Sequence, residues 1–291
     1  MRKSFFKMTV QIGNEMDRET HVFDTQIRNP FVLDLCMAPG GFTKSAIQRF
    51  PKATVHAITL PADSGGHHVI ATGTNLEVLF ADITMFAADF GVDTIPNDHP
   101  DARNFRTDRP YCDSQYDLVF CGGAVRHTQE RAKYRENIEG ARLTLSQLIF
   151  AFNRIKNGGS LVLLLHRAEA GDTARLIHTM STLADIQLFK PSKTHAIKSS
   201  FYLVAKNVQS ETKEASVIVS EWKKRWYQMT FAYQGYGNVN AIGYRSDEEK
   251  NPARLVDEFG PRLVELGNPI WEIQANALED SDFLKARKDT R

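Results

Sequence analysis

Apolar positions fall along the chain in two alternating rhythms. Phe5, Met8, Ile12 and Met16 recur at steps of three or four, which predicts an amphipathic helix over residues 4–19. "FVLDLC" at 31–36 is a short continuous apolar run, and Pro-Gly-Gly leads from it into a helical stretch at 42–50. Further strand-like runs follow at "TVHAIT" (54–59), "EVLFAD" (77–82) and "YDLVFC" (116–121). Between 127 and 157 the residues Ile138, Ala141, Leu145, Leu148, Phe152 and Ile155 keep helical spacing, so a long helix is expected with Gly158-Gly159 as its stop. "SLVLLLH" (160–166) reads as a fifth strand and 172–183 as a helix, while "IQLFK" (186–190) and "FYLVA" (201–205) form a closing pair of strands.

Strands that alternate with helices predict an α/β fold, a mostly parallel sheet covered on both faces. Only residues 191–200 join the last two strands, too few for a helical crossover, so the final strand is expected to run antiparallel. Residues 91–115 carry Pro96, Pro100 and Pro110 among polar side chains and read as a surface insertion. From residue 208 the pattern turns wholly helical, with helices expected at 211–230, 252–259 and 261–278 and breaks at Pro261 and Pro269. The division expected is therefore a domain over 1–207 and a C-terminal helical extension over 208–291.

Composition narrows the class. The 291 residues are 42% hydrophobic and 24% charged, ordinary for a globular chain, and the net charge of +1 argues against a general nucleic-acid binder while leaving room for a local basic patch. Of the three cysteines, Cys36 and Cys121 lie in apolar runs and Cys112 does not, a usage that fits a reducing compartment. No run approaches the roughly 18 apolar residues of a membrane span, and the opening segment is too short in apolar residues for a signal peptide. A cytoplasmic or nuclear protein, without membrane attachment, is the expectation.

The most informative stretch is Asp34-Leu-Cys-Met-Ala-Pro-Gly-Gly-Phe-Thr43, which sets a carboxylate at the end of a buried strand and two glycines at a helix entrance. Glycines there permit positive φ and close approach of a ligand, and a helix N-terminus favours an anionic group. The spacing is neither the dinucleotide G-x-G-x-x-G nor a Walker loop. A purely structural strand-turn-helix would also accept Pro-Gly-Gly.

DLCMAPGGF resembles the first motif of the FtsJ-like ribose 2′-O-methyltransferases, and the likeness extends over about residues 4–206. Further landmarks agree in order: "FFKM" (5–8), "ITLP" (58–61), "FAD" (80–82), "DLVFCGG" (117–123), "GGSLVLLLH" (158–166) and "KPSKTHAIKSSFYLVA" (190–205). The resemblance implies a Rossmann-like methyltransferase sheet and S-adenosylmethionine (SAM) as cofactor. Carried over by position, Asp34, Pro39, Gly40, Gly41, Phe42 and Gly122 would border SAM, and Asp82 would accept from its adenine amino group. The plainer reading of Asp82 is a cap before Thr84. Where relatives hold the ribose with an acid, this chain has Thr59, with Asp63 nearby.

The family's catalytic set is Lys-Asp-Lys-Glu, in which a lysine of depressed pKa deprotonates a ribose 2′-hydroxyl. Matched by motif, these places fall on Lys7, Gly122, Leu164 and Ser200 or Phe201, so one of four is kept. Histidines cluster where the site should lie: His127 after strand four, His166 at the end of strand five, His195 between the last strands, and His67-His68 after strand two. His127 and His166 are the candidate bases. No zinc spacing is present, and no metal is expected. Residues 190–225 hold eight Lys/Arg against three acids and end near Trp222, Trp226 and Tyr227, either an RNA-facing patch or a helix packing its tryptophans inward. Three functions stay open: methyl transfer to an oxygen or nitrogen of RNA, with the ribose 2′-hydroxyl implied by resemblance; a silent relative that binds RNA or a protein partner through its C-terminal helices; or methylation of a small molecule by a histidine base.

Overall fold

The computed structural model describes residues 2–24, 27–125, 133–232 and 252–281. Seven strands form one sheet: β1 (Phe31–Leu35), β2 (Thr54–Thr59), β3 (Leu76–Phe80), β4 (Tyr116–Cys121), β5 (Ile155–His166), β6 (Asp185–Phe189) and β7 (Ser200–Val208). Their order is β3-β2-β1-β4-β5-β7-β6, parallel throughout except that β7 runs antiparallel to both neighbours. The expected direction of the last strand is thus borne out. Chain order reverses between β1 and β4, so their carboxyl ends open a crevice of the kind in which α/β sheets bind ligands.

Side-chain alternation along each strand feeds two cores. On β5, Leu161, Leu163 and Leu165 join the core beneath α3 (Glu139–Phe152), α4 (Gly171–Leu183), α5 (Lys213–Tyr227) and α6 (Pro252–Glu279). Val162 and Leu164 face the other way, into a core shared with α1 (Arg2–Thr20) and α2 (Gly41–Arg49). Ile12 and Met16 of the predicted N-terminal helix fill that second core, as their spacing requires.

Two helices differ from the expectation. α3 stops at Phe152, and Ile155 already pairs with Tyr116, so Gly158-Gly159 lie inside β5 at a register irregularity instead of ending a helix. The cause is Arg154, whose buried guanidinium grips both oxygens of Asp89 at 2.9 Å and the Pro110 carbonyl at 2.7 Å, turning the chain into the sheet. Of the start expected for this helix, 127–132 lies outside the described residues, and 133–138 form a 3-10 turn and a loop before α3 begins at Glu139. The second difference is α6, one unbroken helix through Pro261 and Pro269. Both prolines are exposed, as are Asp257 and Glu265, whose carbonyls they leave without a partner, so water satisfies what the helix loses. The opposite face buries Phe259, Leu266 and Ile270.

The helical extension packs into the main core. Trp226 is fully buried, with its ring 4.5 Å from that of Phe90, and Trp222 sits edge-on to Phe152 at 5.2 Å. Of the two readings of "EWKKRW", inward packing is the one observed; Tyr227 alone of the three aromatics is exposed, at 47%. The insertion at 91–115 is irregular, and Tyr111 stacks on His56 at 4.5 Å.

Trp226→Ala should cost about 3–5 kcal/mol in urea unfolding, the usual penalty for emptying a large aromatic site. Trp226→Phe should cost far less, because the buried indole Nε1 makes no hydrogen bond and its loss is free. Equal penalties for the two variants would contradict this account.

Candidate functional site

The turn after β1 is held from several sides. Asp34 is buried at the strand's end and accepts a hydrogen bond from Thr43 Oγ1 at 2.6 Å, which fixes the first turn of α2 against the sheet. Burial pushes the Asp34 carboxyl up to about 7, with the Thr43 bonds acting in the opposite direction. The Met37 N–H donates to the Ile58 carbonyl at 3.1 Å and the Ala38 N–H to Thr59 Oγ1 at 3.2 Å, stitching the turn to the end of β2. Thr59 is buried, with its hydroxyl oxygen accepting from that backbone N–H. Asp63 is exposed on a short 3-10 turn nearby.

Pro39 accepts from the Ile70 and Ala71 N–H groups at 3.0 and 3.2 Å, so the 66–73 segment closes over the turn. Gly40 has φ +97° at the N-cap of α2, a conformation only glycine adopts without strain, and no side chain caps the helix there. A Cβ on Gly40 would lie 2.5 Å from Ala71 Cβ, and one on Gly41 would strike Thr9, at 2.5 Å from its Cβ and 2.7 Å from its carbonyl carbon. Protein packing thus accounts for both glycines without any ligand. The Phe42 ring lies in the core between Phe120, stacked at 5.3 Å, and Tyr202, edge-on at 5.6 Å. Asp82 does cap the following turn, with Oδ1 accepting from the Thr84 N–H at 2.9 Å and from its hydroxyl at 2.8 Å. Its Oδ2 lies 3.9 Å from Arg135 Nη1.

The structure gathers the four places matched to the catalytic set on one face, the side of α1. Lys7 is exposed on α1 and borders a depression of roughly 550 Å³ with Lys3, Ser4, Met8, Gln11 and Thr194. Gly122 follows β4, its N–H bonded to the Leu35 carbonyl at 3.1 Å; a Cβ there would meet nothing closer than Phe42 at 3.8 Å. Leu164 packs half-buried in the α1–α2 core, and Ser200 pairs across the ladder with His166, whereas Phe201 is buried on the opposite face. His166 stands two residues beyond Leu164, hence on the same face and nearer the edge. Burial lowers its pKa, as do the charges of Arg167, Lys190 and Lys198, so the imidazole is neutral at pH 7.

His195 is lowered in the same way. His67 packs against Phe5 at 5.0 Å, His68 is exposed, and His127 lies outside the described residues. Lys190 went unnoticed in the sequence. It is buried, its ammonium donates to the carbonyls of Lys198 and, at 2.9 Å, of Ser200, and burial pulls its pKa down to about 8. A lysine closing the apolar run "QLFK" was the available signal. With Lys3, Lys7, Arg167, Lys193 and Lys198 all exposed, the rim from α1 to the β6–β7 connection is basic. Among the described residues no group of three or more His, Cys, Asp or Glu is arranged to hold a metal ion, and no helix is long and apolar enough to cross a membrane.

Gly41→Ala should destabilise by about 3 kcal/mol, since α1 must move, while Gly122→Ala should change stability by less than about 1 kcal/mol. Urea titrations of the two variants check the contrast. Asp34 should also set a pH dependence. Between pH 4 and 7 the folded state keeps a proton that the unfolded chain has lost, so stability should fall by on the order of 4 kcal/mol across that window and level off above it. Asp34→Asn should lack this slope; parallel pH profiles would refute the assignment.

The sequence matches the FtsJ-like methyltransferase family over residues 6–208. No curated protein matches it significantly. Among solved structures, one described as a ribosomal RNA methyltransferase from Plasmodium falciparum is 18% identical, with a TM-score of 0.47 over 69% of this chain and 97% of that one. An O-methyltransferase family protein from Burkholderia thailandensis is 14% identical, with a TM-score of 0.39 over 72% of this chain and 60% of that one. Human methyltransferase-like protein 13, solved in complex with SAH, is 11% identical, with a TM-score of 0.41 over 78% and 91%. With a family match that spans the whole sheet, this chain belongs to the FtsJ-like methyltransferases.

Proposed function

We propose that the chain is a SAM-dependent methyltransferase that seats an RNA segment on its basic rim and passes the acceptor's proton to His166. The observation that carries this reading is the shared location of Gly122, Leu164, His166, Ser200 and Lys7 on the α1 face of one sheet edge, beside five exposed cations. Phosphates draw such a rim through counterion release.

The residues at the edge fit SAM at two points. At the N-terminus of α2 Gly40 brings no capping side chain and Asp34 takes up Thr43, so the N–H groups of Gly41 and Phe42 suit the cofactor's carboxylate. Asp82 keeps Oδ2 clear of its capping bonds, which suits an adenine amino group. Thr59 does not fit the ribose, because it is buried; Asp63, exposed nearby, is the candidate that stays open. When bound, SAM supplies an electrophilic methyl for in-line displacement, where orientation provides much of the rate.

Gly122, Leu164 and Ser200 offer neither carboxylate nor ammonium, so a tetrad-type ribose deprotonation has no apparatus here. A neutral His166 can take a proton at its ring nitrogen. Lys7 and Lys3 then position phosphate. The silent alternative also has an observation behind it: Thr9, Met37 and Ala71 fill the faces of Gly40 and Gly41.

Calorimetry with SAM and transfer of labelled methyl to RNA separate the two. SAM should bind, and His166→Ala should lower the transfer rate about 100-fold while SAM affinity stays within about twofold. Absence of SAM binding, or transfer indifferent to His166, would defeat the proposal, and binding without transfer would favour the silent reading.

A further inference from the structure

At the amino ends of β4 and β5, the edge of the sheet opposite Gly122 and His166, three cations gather around one carboxylate. Asp89 is fully buried, and Arg154 Nη2 donates to both of its oxygens at 2.9 Å. Arg154 has nothing left to offer a ligand, since Nε and Nη2 also donate to the Pro110 carbonyl and Nη1 to the Phe150 carbonyl. Arg109 approaches the same carboxylate with Nε at 3.6 Å while 53% of its side chain stays in solvent. Its sequence neighbour Asp108 is held by Arg106 in a bidentate pair, both bonds at 2.8 Å, and does not serve Arg109.

Lys223 completes the cluster from α5. Its stem passes over Gly91, with Cδ 3.9 Å from the place a Cβ on that glycine would take. The side chain is half-buried, and among the described residues its ammonium has neither a hydrogen bond nor a carboxylate partner. Burial lowers its pKa, and the charges of Arg109 and Arg154 lower it further, with Asp89 acting in the opposite direction.

Three positive charges against one negative leave a surplus of two. Arg154 already meets Asp89 at hydrogen-bond distance, so the surplus resides on Arg109 and Lys223, the two groups that reach solvent. Like charges held together in a partly desolvated place repel one another, and a bound anion removes that repulsion. The guanidinium brings a fork of donors suited to an oxyanion, and the ammonium brings a point charge.

We propose that Arg109 and Lys223 form a binding site for a phosphate dianion, either the free ion or the terminal phosphate of a small ester. Two cations match two charges, which favours a dianion over the singly charged diesters of a nucleic-acid backbone. β4, six residues long, sets this site roughly 20 Å from the edge where Gly122 lies, so it stands independently of the SAM reading. Arg109 belongs to the insertion and Lys223 to α5, and an anion held by both ties these two segments together.

The test is calorimetric titration of the full chain with inorganic phosphate at pH 7.5 and constant ionic strength. One phosphate should bind per chain, and Arg109→Gln and Lys223→Gln should each weaken it at least about tenfold. Arg103→Gln, which alters an exposed arginine of the same insertion, should leave the affinity within about twofold. Dimethyl phosphate, a singly charged diester, should bind at least about tenfold more weakly than phosphate. Phenyl phosphate separates the two sources: affinity no greater than that of phosphate assigns the site to the free ion, and tighter binding that the same variants abolish assigns it to an ester. Phosphate should also raise the thermal unfolding midpoint of the unaltered protein and not that of the two variants. Absence of saturable binding, binding that survives both substitutions, or diester binding as tight as that of phosphate overturns the inference. Should Lys223→Gln fail to fold, undiminished binding in Arg109→Gln, whose site of change is exposed, overturns it alone.

Discussion

A carboxyl group withdrawn from water at the end of the central strand is the constraint on which the geometry of the candidate site depends. Asp34 accepts from Thr43, and that bond decides where α2 begins and how its axis meets the sheet. Once α2 is fixed, Gly41 can sit against Thr9 and Gly13 can sit against Ser45, so α1 lies close along α2. That approach carries Lys7 to the carboxyl edge of the sheet. A single polar contact in the core therefore sets the distance between the two halves of the site, the turn on one side and the α1 rim on the other. An isolated buried carboxylate would be costly, and the raised pKa of Asp34 shows how the fold meets the cost: it favours the neutral form.

Buried arginines do for the irregular segments what apolar packing does for the sheet. Arg154 joins Asp89 to Pro110 and lies 3.6 Å over the Phe150 ring, so the insertion is anchored through its carbonyl groups without needing helix or strand. Arg142 ties α3 to Thr84 and Thr230 in the same manner. Removing one partner of such a pair leaves a buried charge behind and costs several times more than breaking an exposed pair such as Arg254–Glu258, which contributes about 0–1 kcal/mol. The insertion is in this sense wired into the α/β core through Arg154, and the C-terminal helices through Arg142.

How much of this architecture the sequence disclosed depends on the range of the forces involved. The strands were legible because each is a short apolar run bounded by turn residues, and the antiparallel β7 could be inferred from the length of one connection. The end of α3 was not, since Ile155 continues a helical spacing and only the distant Asp89 explains why the chain turns at Arg154. Pro261 and Pro269 looked like breaks because a proline's local cost is visible in sequence, whereas the solvent beside its orphaned carbonyl is not. The site divides along the same line. DLCMAPGGF is local and was recognised; the hydrogen bond from Ala38 to the Thr59 hydroxyl, the carbonyl cage around Lys190 and the ion pair between Arg135 and Asp82 each join residues that no local spacing links.

The glycines carry a more general lesson about reading such loops. Their presence in a strand-turn-helix suggests a ligand, yet Thr9 and Ala71 supply a complete steric reason for Gly41 and Gly40 here. Smallness that the protein itself uses says nothing about a cofactor. Polar capacity beyond the protein's own bonds says more: the N–H groups of Gly41 and Phe42, for which Gly40 brings no cap, and the second oxygen of Asp82, outside its Thr84 bonds and 3.9 Å from Arg135, are donors and an acceptor that a ligand can use. At the positions matched to the catalytic set the opposite holds, for Leu164 is spent on packing and Gly122 brings no side chain at all. On the proposed reading, binding and orientation therefore supply the rate, with proton transfer shifted two residues along β5 to His166.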